Sequence, residues 1–242
     1  MSTRRLLRLT GPERVDFLQG LVTNDVRRAP VYAALLTPQG KYLADFFIIP
    51  DGDDALLLDV AGDQADDLLR RLSMYKLRAK VEIAEDARTV SRGTGLAPAG
   101  AIADPRDPAL GWRSYGGAAG DDTDWDALRV ARLIPEAGAE LVPNDSYILE
   151  MAFDRLNGVD FRKGCYVGQE VTARMKHKTE LKKGLARVHL DGSVPVGTPI
   201  LTADGREAGT VYTQANGQGI AYLRFDRIGD GMTAGGVPVR AE

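Results

Sequence analysis

Cys165 is the one cysteine of the chain, and it lies between two glycines in the run Lys163-Gly164-Cys165-Tyr166-Val167-Gly168-Gln169-Glu170. Good helix formers continue from Gln169 to Met175, so a helix is expected to begin just after Gly168. A thiol placed ahead of a helix N-terminus, with Lys163 two residues away, would feel positive potential that favours the thiolate, the form that attacks electrophiles and ligates metals. A cysteine also serves as a small buried hydrophobe, and composition does not separate the two readings. One cysteine and two histidines rule out an intrachain disulfide and a closed four-ligand zinc site.

The charge around this thiol is uneven. The net charge is −3, yet the stretch from Arg162 to Arg187 holds eight Lys or Arg, including Arg174, Lys176, Lys178, Lys182 and Lys183, against Glu170 and Glu180. That stretch is +6 and the remainder −9. A basic segment on an acidic body steers an anionic small molecule, an acidic partner or a nucleic-acid backbone; a solvated surface run is the plain alternative. No phosphate-binding P-loop, Rossmann glycine fingerprint, His-Glu-x-x-His or Gly-x-Ser-x-Gly occurs, which argues against nucleotide hydrolysis of that kind, nicotinamide redox chemistry and zinc proteolysis. With 44% apolar and 27% charged residues, the 242-residue chain has the balance of a globular protein of one large or two modest domains. No membrane-length apolar run or signal-peptide core is visible, so a cytoplasmic protein in a reducing compartment, without a membrane partner, is expected.

The elements that must position these groups alternate early and turn all-β late. Leu6 to Leu9 reads as a strand, and Gly11-Pro12-Glu13 opens a helix carrying Val15, Leu18 and Val22. Val31 to Leu36, Tyr42 to Ile49 and Ala55 to Val60 read as antiparallel hairpins, separated by Thr37-Pro38-Gln39-Gly40 and Pro50-Asp51-Gly52-Asp53. Asp63 is the expected N-cap of a helix through Leu72, and Arg78 to Ala84 the next strand. Short strands surround Trp112. Thr123 is expected to start a helix that stops near Pro135, and a second helix to run from Tyr147 to Leu156, closed by Asn157-Gly158. Beyond Leu185 only strand and turn signals remain, which suggests a small barrel or sandwich.

The motif around Cys165 resembles the Lys-Gly-Cys-(Tyr/Phe)-x-Gly-Gln-Glu signature of the YgfZ family. These are folate-binding relatives of the glycine-cleavage T-protein, with mitochondrial members that act late in iron–sulfur cluster assembly. Phe17 to Val26, Thr37 to Asp45 and Tyr75 to Val81 resemble that family's N-terminal segment, first hairpin and the element after its first helix. The resemblance implies an α+β fold, a T-protein-like ring of two mixed α/β domains with antiparallel sheets plus a small C-terminal β-barrel. Residues 1–30 with 95–180 would form a discontinuous folate-binding domain, 31–94 a second domain and 181–242 the barrel.

It further implies tetrahydrofolate as cofactor and no intrinsic metal. The pterin offers an amide N–H beside an exocyclic amine, a donor pair that one carboxylate accepts bidentately, and Glu150 matches the glutamate that the family places there. An exposed helix position is the alternative for Glu150. Thr23, Asn24 and Asp25 would hydrogen-bond in the cavity, and the basic stretch near Arg174 and Lys176 would meet the anionic glutamate tail. Cys165 and Lys163 would carry the chemistry, with Gly164, Tyr166, Gly168, Gln169 and Glu170 completing the motif. Since clusters use about four cysteine ligands, Cys165 would share one with a partner or an exogenous thiol. The expected partners are folate and iron–sulfur assembly or client proteins, with no direct nucleic-acid binding.

One departure separates two functions. The T-protein has paired aspartates in its first hairpin, whereas this chain has the single Asp45 after Gly40-Lys41. Loss of one acid weakens acid–base transfer of an aminomethyl group, so an accessory factor is expected; a folate-dependent aminomethyltransferase or demethylase is the alternative.

Overall fold

The structure, a computed structural model, describes residues 3–177 and 180–242. Lys178 therefore lies outside the described residues. The first five strands, β1 (Arg4–Thr10), β2 (Val31–Leu36), β3 (Tyr42–Asp51), β4 (Ala55–Ala61) and β5 (Glu82–Asp86), form an antiparallel sheet in the order β2-β3-β4-β1-β5. Strands β2, β3 and β4 are buried on both faces over most of their length, which is why they read as continuous apolar runs. One face is covered by α1 (Arg14–Gln19) and α2 (Ala65–Lys76), whose Leu18, Leu68 and Leu72 pack with Leu7, Leu35 and Phe46. On the other face Leu6, Tyr32 and Phe47 meet Tyr115, Phe153 and Tyr166.

A small sheet of β6 (Ser91–Gly93), β7 (Ile102–Ala103) and β8 (Trp112–Ser114) and the helix α3 (Trp125–Arg132) follow. After α4 (Gln169–His177), strands β9 (Lys183–Leu190), β10 (Thr198–Leu201), β11 (Glu207–Ala215), β12 (Gln218–Arg224), β13 (Thr233–Ala234) and β14 (Val237–Ala241) close a barrel in the order β10-β11-β12-β9-β14-β13. Val188, Ile200, Val211 and Leu223 fill it. Closure gives every barrel strand a hydrogen-bonded neighbour on each side. The fold is therefore α+β with antiparallel sheets and a C-terminal β-barrel, as expected.

Several local expectations need correction. Tyr147 to Leu156 is a chain of turns rather than a helix: Ala152 has φ +60°, a left-handed conformation that ends any α-helix, and Asn157 follows at +53°. The N-cap of α3 is Asp124, whose carboxylate accepts from the Ala127 amide, not Thr123; α2 starts after Gln64 without a side-chain cap from Asp63. The fifth strand begins at Glu82, later than Arg78. The boundary drawn at residue 30 is crossed by the main sheet, because β1 is hydrogen-bonded to β4 on one side and β5 on the other. A strand paired on both edges belongs to its sheet, so residues 4–10 stand with the hairpins that follow.

Candidate functional site

The Lys163–Glu170 loop is held from below and leaves its thiol outside. Lys163 is 7% exposed, and its ammonium donates to the carbonyl oxygens of Gln19 (2.8 Å), Val22 and Asn24 (2.9 Å). All three N–H groups are committed to the end of α1 and the turn beyond it. Burial pushes this ammonium down to about 8, against the opposing pull of Asp25 and Asp160. The expected action of Lys163 on Cys165 is therefore corrected: Lys163 anchors the loop. Tyr166 is buried in the core beneath it, and its hydroxyl is pushed up by that burial. Gly168 has φ +84°, and a Cβ there would come within 2.6 Å of the Thr37 carbonyl oxygen and 3.1 Å of the Gly40 Cα. Only glycine lets the loop touch the β2–β3 turn so closely. Gly164, by contrast, faces open space.

Cys165 itself is exposed. Among the described residues no group of three His, Cys, Asp or Glu side chains is placed to hold a metal ion. Gln169 opens α4, its amide donating to the Tyr166 carbonyl at 3.2 Å; Glu170 sits exposed in the first turn, where its charge suits the helix dipole.

Thr23 and Asn24 join the two halves of the body, Asp25 caps its own turn, and none of the three lines the Glu150 cavity described below. The Thr23 hydroxyl donates to the Gly158 carbonyl at 2.6 Å and accepts the Ala34 amide at 2.8 Å. The Asn24 amide group donates to the carbonyls of Tyr32 and Asn157, and Asp25 accepts from Gln19 and the Arg27 amide. Thr23 and Asn24 are buried fasteners; Asp25 is half-buried. Asp45 is likewise interior, accepting the hydroxyls of Tyr32 (2.9 Å) and Tyr42 (2.6 Å). Burial and the Asp45 charge hold both tyrosines far above their ordinary value, as permanent donors.

Glu150 does face a cavity, of about 390 Å³, formed where the β2–β3 turn, the Val142–Met151 segment, α4 and the barrel meet. The segment is clipped to the turn by the Tyr42 amide on the Ser146 carbonyl (2.9 Å), and the barrel to the segment by the Leu185 amide on the Glu150 carbonyl (2.9 Å). The Glu150 carboxylate accepts the Tyr222 hydroxyl at 2.6 Å through one oxygen, which leaves the other without a side-chain partner among the described residues. Burial and that carboxylate hold Tyr222 protonated, so it is a donor that fixes Glu150 in place. Tyr147, Tyr212 and Met175 add flat and apolar surface; Lys41, Lys182 and Lys183 supply cations against the further acids Asp145 and Glu180, with Lys41 engaged by Asp145 and seated 3.8 Å over the Tyr147 ring.

The basic lining thus comes from Lys41, Lys182 and Lys183, not from Arg174, which is exposed on α4, nor from Lys176, which pairs with Asp154 at 3.0 Å. Lys182 and Lys183 were visible in the basic run; Tyr222 lies in a barrel strand without a motif and gave no sequence signal. Among the described residues no helix is long and apolar enough to cross a membrane.

These features define an aminomethyltransferase-type fold. The crystal structure of glycine cleavage system aminomethyltransferase T from Bartonella henselae matches all of this chain and 83% of that one, with TM-score 0.76 and 13% identity, a likeness of fold alone. Residues 182–242 match the family described as CAF17, C-terminal beta-barrel domain. The mouse protein named iron-sulfur cluster assembly factor IBA57, mitochondrial, is 31% identical over 94% of this chain and 77% of its own length. The IBA57 homologue of Neurospora crassa is 32% identical over 81% of this chain, and that of Pyricularia oryzae 29% over the whole of it. The chain covers 54% and 75% of those two relatives. The chain belongs to the IBA57 family. The comparisons return that name rather than YgfZ. They also overturn the cytoplasmic expectation, since these relatives are named as mitochondrial proteins.

Proposed function

We propose that the chain is a tetrahydrofolate-binding accessory factor for the assembly or repair of iron–sulfur proteins, in the mitochondrial setting of its named relatives. The observation that supports it most directly is the cavity of about 390 Å³ with a carboxylate fixed by a tyrosine inside it and lysines at its edge. The donor set fits the cofactor. Glu150, oriented by Tyr222, would accept the paired N–H groups of the pterin. Tyr147, Tyr212 and Met175 would cover its flat ring system, and Lys182 and Lys183 would meet the carboxylates of the glutamate tail, Lys41 being held by Asp145. Tetrahydrofolate would supply one-carbon or reductive chemistry at that point. The protein's residues would orient it there. Acid–base transfer of an aminomethyl group is the weaker reading, because Asp45 is committed to two tyrosine hydroxyls in the interior.

Cys165 is the group offered outward. A single thiol does not hold a cluster alone, so the cluster is cargo shared with a partner that supplies the other ligands. Helix α4 links the two places: its leading loop carries Cys165, and Met175, about 9 Å of helix beyond Gln169, lines the cavity. The test is a reconstituted cluster-transfer assay on Cys165→Ser with and without tetrahydrofolate. The variant is expected to fold and bind folate as wild type while losing transfer. A fully active Cys165→Ser would remove the cysteine from the mechanism.

A further inference from the structure

A second cavity, of about 320 Å³, opens on the far side of the main sheet from α1 and α2, between β1, β3, the small sheet and the start of α3. Its lining includes Arg4, Arg92, Arg106 and Arg113. Aromatic rings hold these guanidiniums: Arg113 and Arg106 stand 3.9 Å and 4.9 Å from the centre of the Phe47 ring, and Arg92 lies 3.9 Å from that of Trp125. The buried ion pairs behind the cavity are Arg4 and Arg113 on Asp59, Arg106 on Asp104, Arg92 on Glu136 and Arg129 on Glu140. Among the described residues, these pairs set five guanidiniums against four carboxylates. The remaining acid of the lining, Asp121, is exposed at the mouth and turned onto the amides of Thr94 and Gly95 and the Thr123 hydroxyl. Asp126, which also touches Arg129, is solvent-exposed as well.

The cavity also contains donors without acceptors. Arg106 is 5% exposed and directs Nε and Nη2 to Asp104, and its Nη1 has no hydrogen-bond acceptor among the described residues. Arg4 uses Nε and Nη2 on Asp59 and likewise leaves Nη1. The Ser91 hydroxyl is shut away from solvent with no hydrogen-bond partner among the described residues. Of these, the Ser91 hydroxyl is the buried unpaired group, and it carries a desolvation cost that a ligand removes. The positive field is felt by neighbours: burial would raise Glu136, yet Arg129, Arg92 and Arg106 hold it down at about 2.

We propose that this cavity binds a small oxyanion, a phosphate or carboxylate group, received by Arg106, Arg4 and Ser91. It is separate from the Glu150 cavity and shares no lining residue with it. The test is calorimetric titration of inorganic phosphate, and separately of citrate, into the full chain, with chloride balancing ionic strength. Saturable binding of one anion per chain is expected, and which of the two binds more tightly identifies the group. Ser91→Ala should weaken it about tenfold, the loss of one charge-assisted contact. The same variant should raise the melting temperature of the free protein slightly, because the desolvation cost of the unpaired hydroxyl goes with it. Glu150→Gln should bind the anion as wild type. The absence of saturable heat with both anions would overturn the proposal, as would affinity unchanged in Ser91→Ala or abolished in Glu150→Gln.

Discussion

At the scale of single residues, the contrast between Lys163 and Cys165 carries the most information. Their adjacency in sequence suggests one chemical unit, yet the chain turns the lysine inward to three carbonyls and the thiol outward. Lys163→Met is therefore expected to lower stability by about 1–3 kcal/mol, the cost of leaving buried acceptors unsatisfied, in urea unfolding monitored by circular dichroism. A catalytic lysine would show the opposite pattern, with unchanged stability and lost activity. A titrating residue makes a second test. Glu136 is held at about 2 in the fold against an ordinary 4.5, so between those values the unfolded chain binds the extra proton. Its contribution is present above about pH 4.5 and is lost as pH falls toward 2. Melting temperatures recorded from pH 6 to pH 2.5 should fall less steeply for Glu136→Gln than for wild type.

At the scale of elements, the motif loop works because two glycines meet. The Gly168→Ala change combines a positive φ with a clash against the Thr37 carbonyl, and should cost about 1–3 kcal/mol and speed proteolytic cleavage of the loop. Gly164→Ala meets nothing within 4 Å and should melt as wild type. If both variants behave alike, the contact between loop and turn is not what holds Cys165 in place. The hairpins, α1 and α4 were legible because apolar periodicity and turn residues are local signals. The segment Tyr147 to Leu156 was not, since its helical spacing of apolar residues is overridden by Ala152 at positive φ, forced by docking to the β2–β3 turn and the barrel. The short strands β13 and β14 carry too few residues to show an alternation.

At the scale of the molecule, the cavity exists only because distant parts of the chain converge on it. Sequence drew attention to Glu150 and Cys165 through a single matching carboxylate and a contiguous motif, and the fold sets the first on a cavity wall and the second outside. The fasteners Thr23 and Asn24 lie in an equally recognisable segment but serve the junction between halves of the body, where buried amides and hydroxyls need partners, and Asp25 caps the turn beside them. Tyr222 and Lys41 could not be assigned in advance, because nothing local tells which barrel or turn residue will face Glu150. The arginine-lined cavity was equally hidden, its members spread from Arg4 to Arg113. The most direct measurement of the central claim is a calorimetric titration of tetrahydrofolate into the full chain and into Glu150→Gln. Saturable binding of one folate per chain, weakened about 10- to 100-fold in the variant by loss of a charge-assisted pair of about 1.5–3 kcal/mol, is the predicted result. No binding to the wild-type chain, or equal affinity in both proteins, would contradict it.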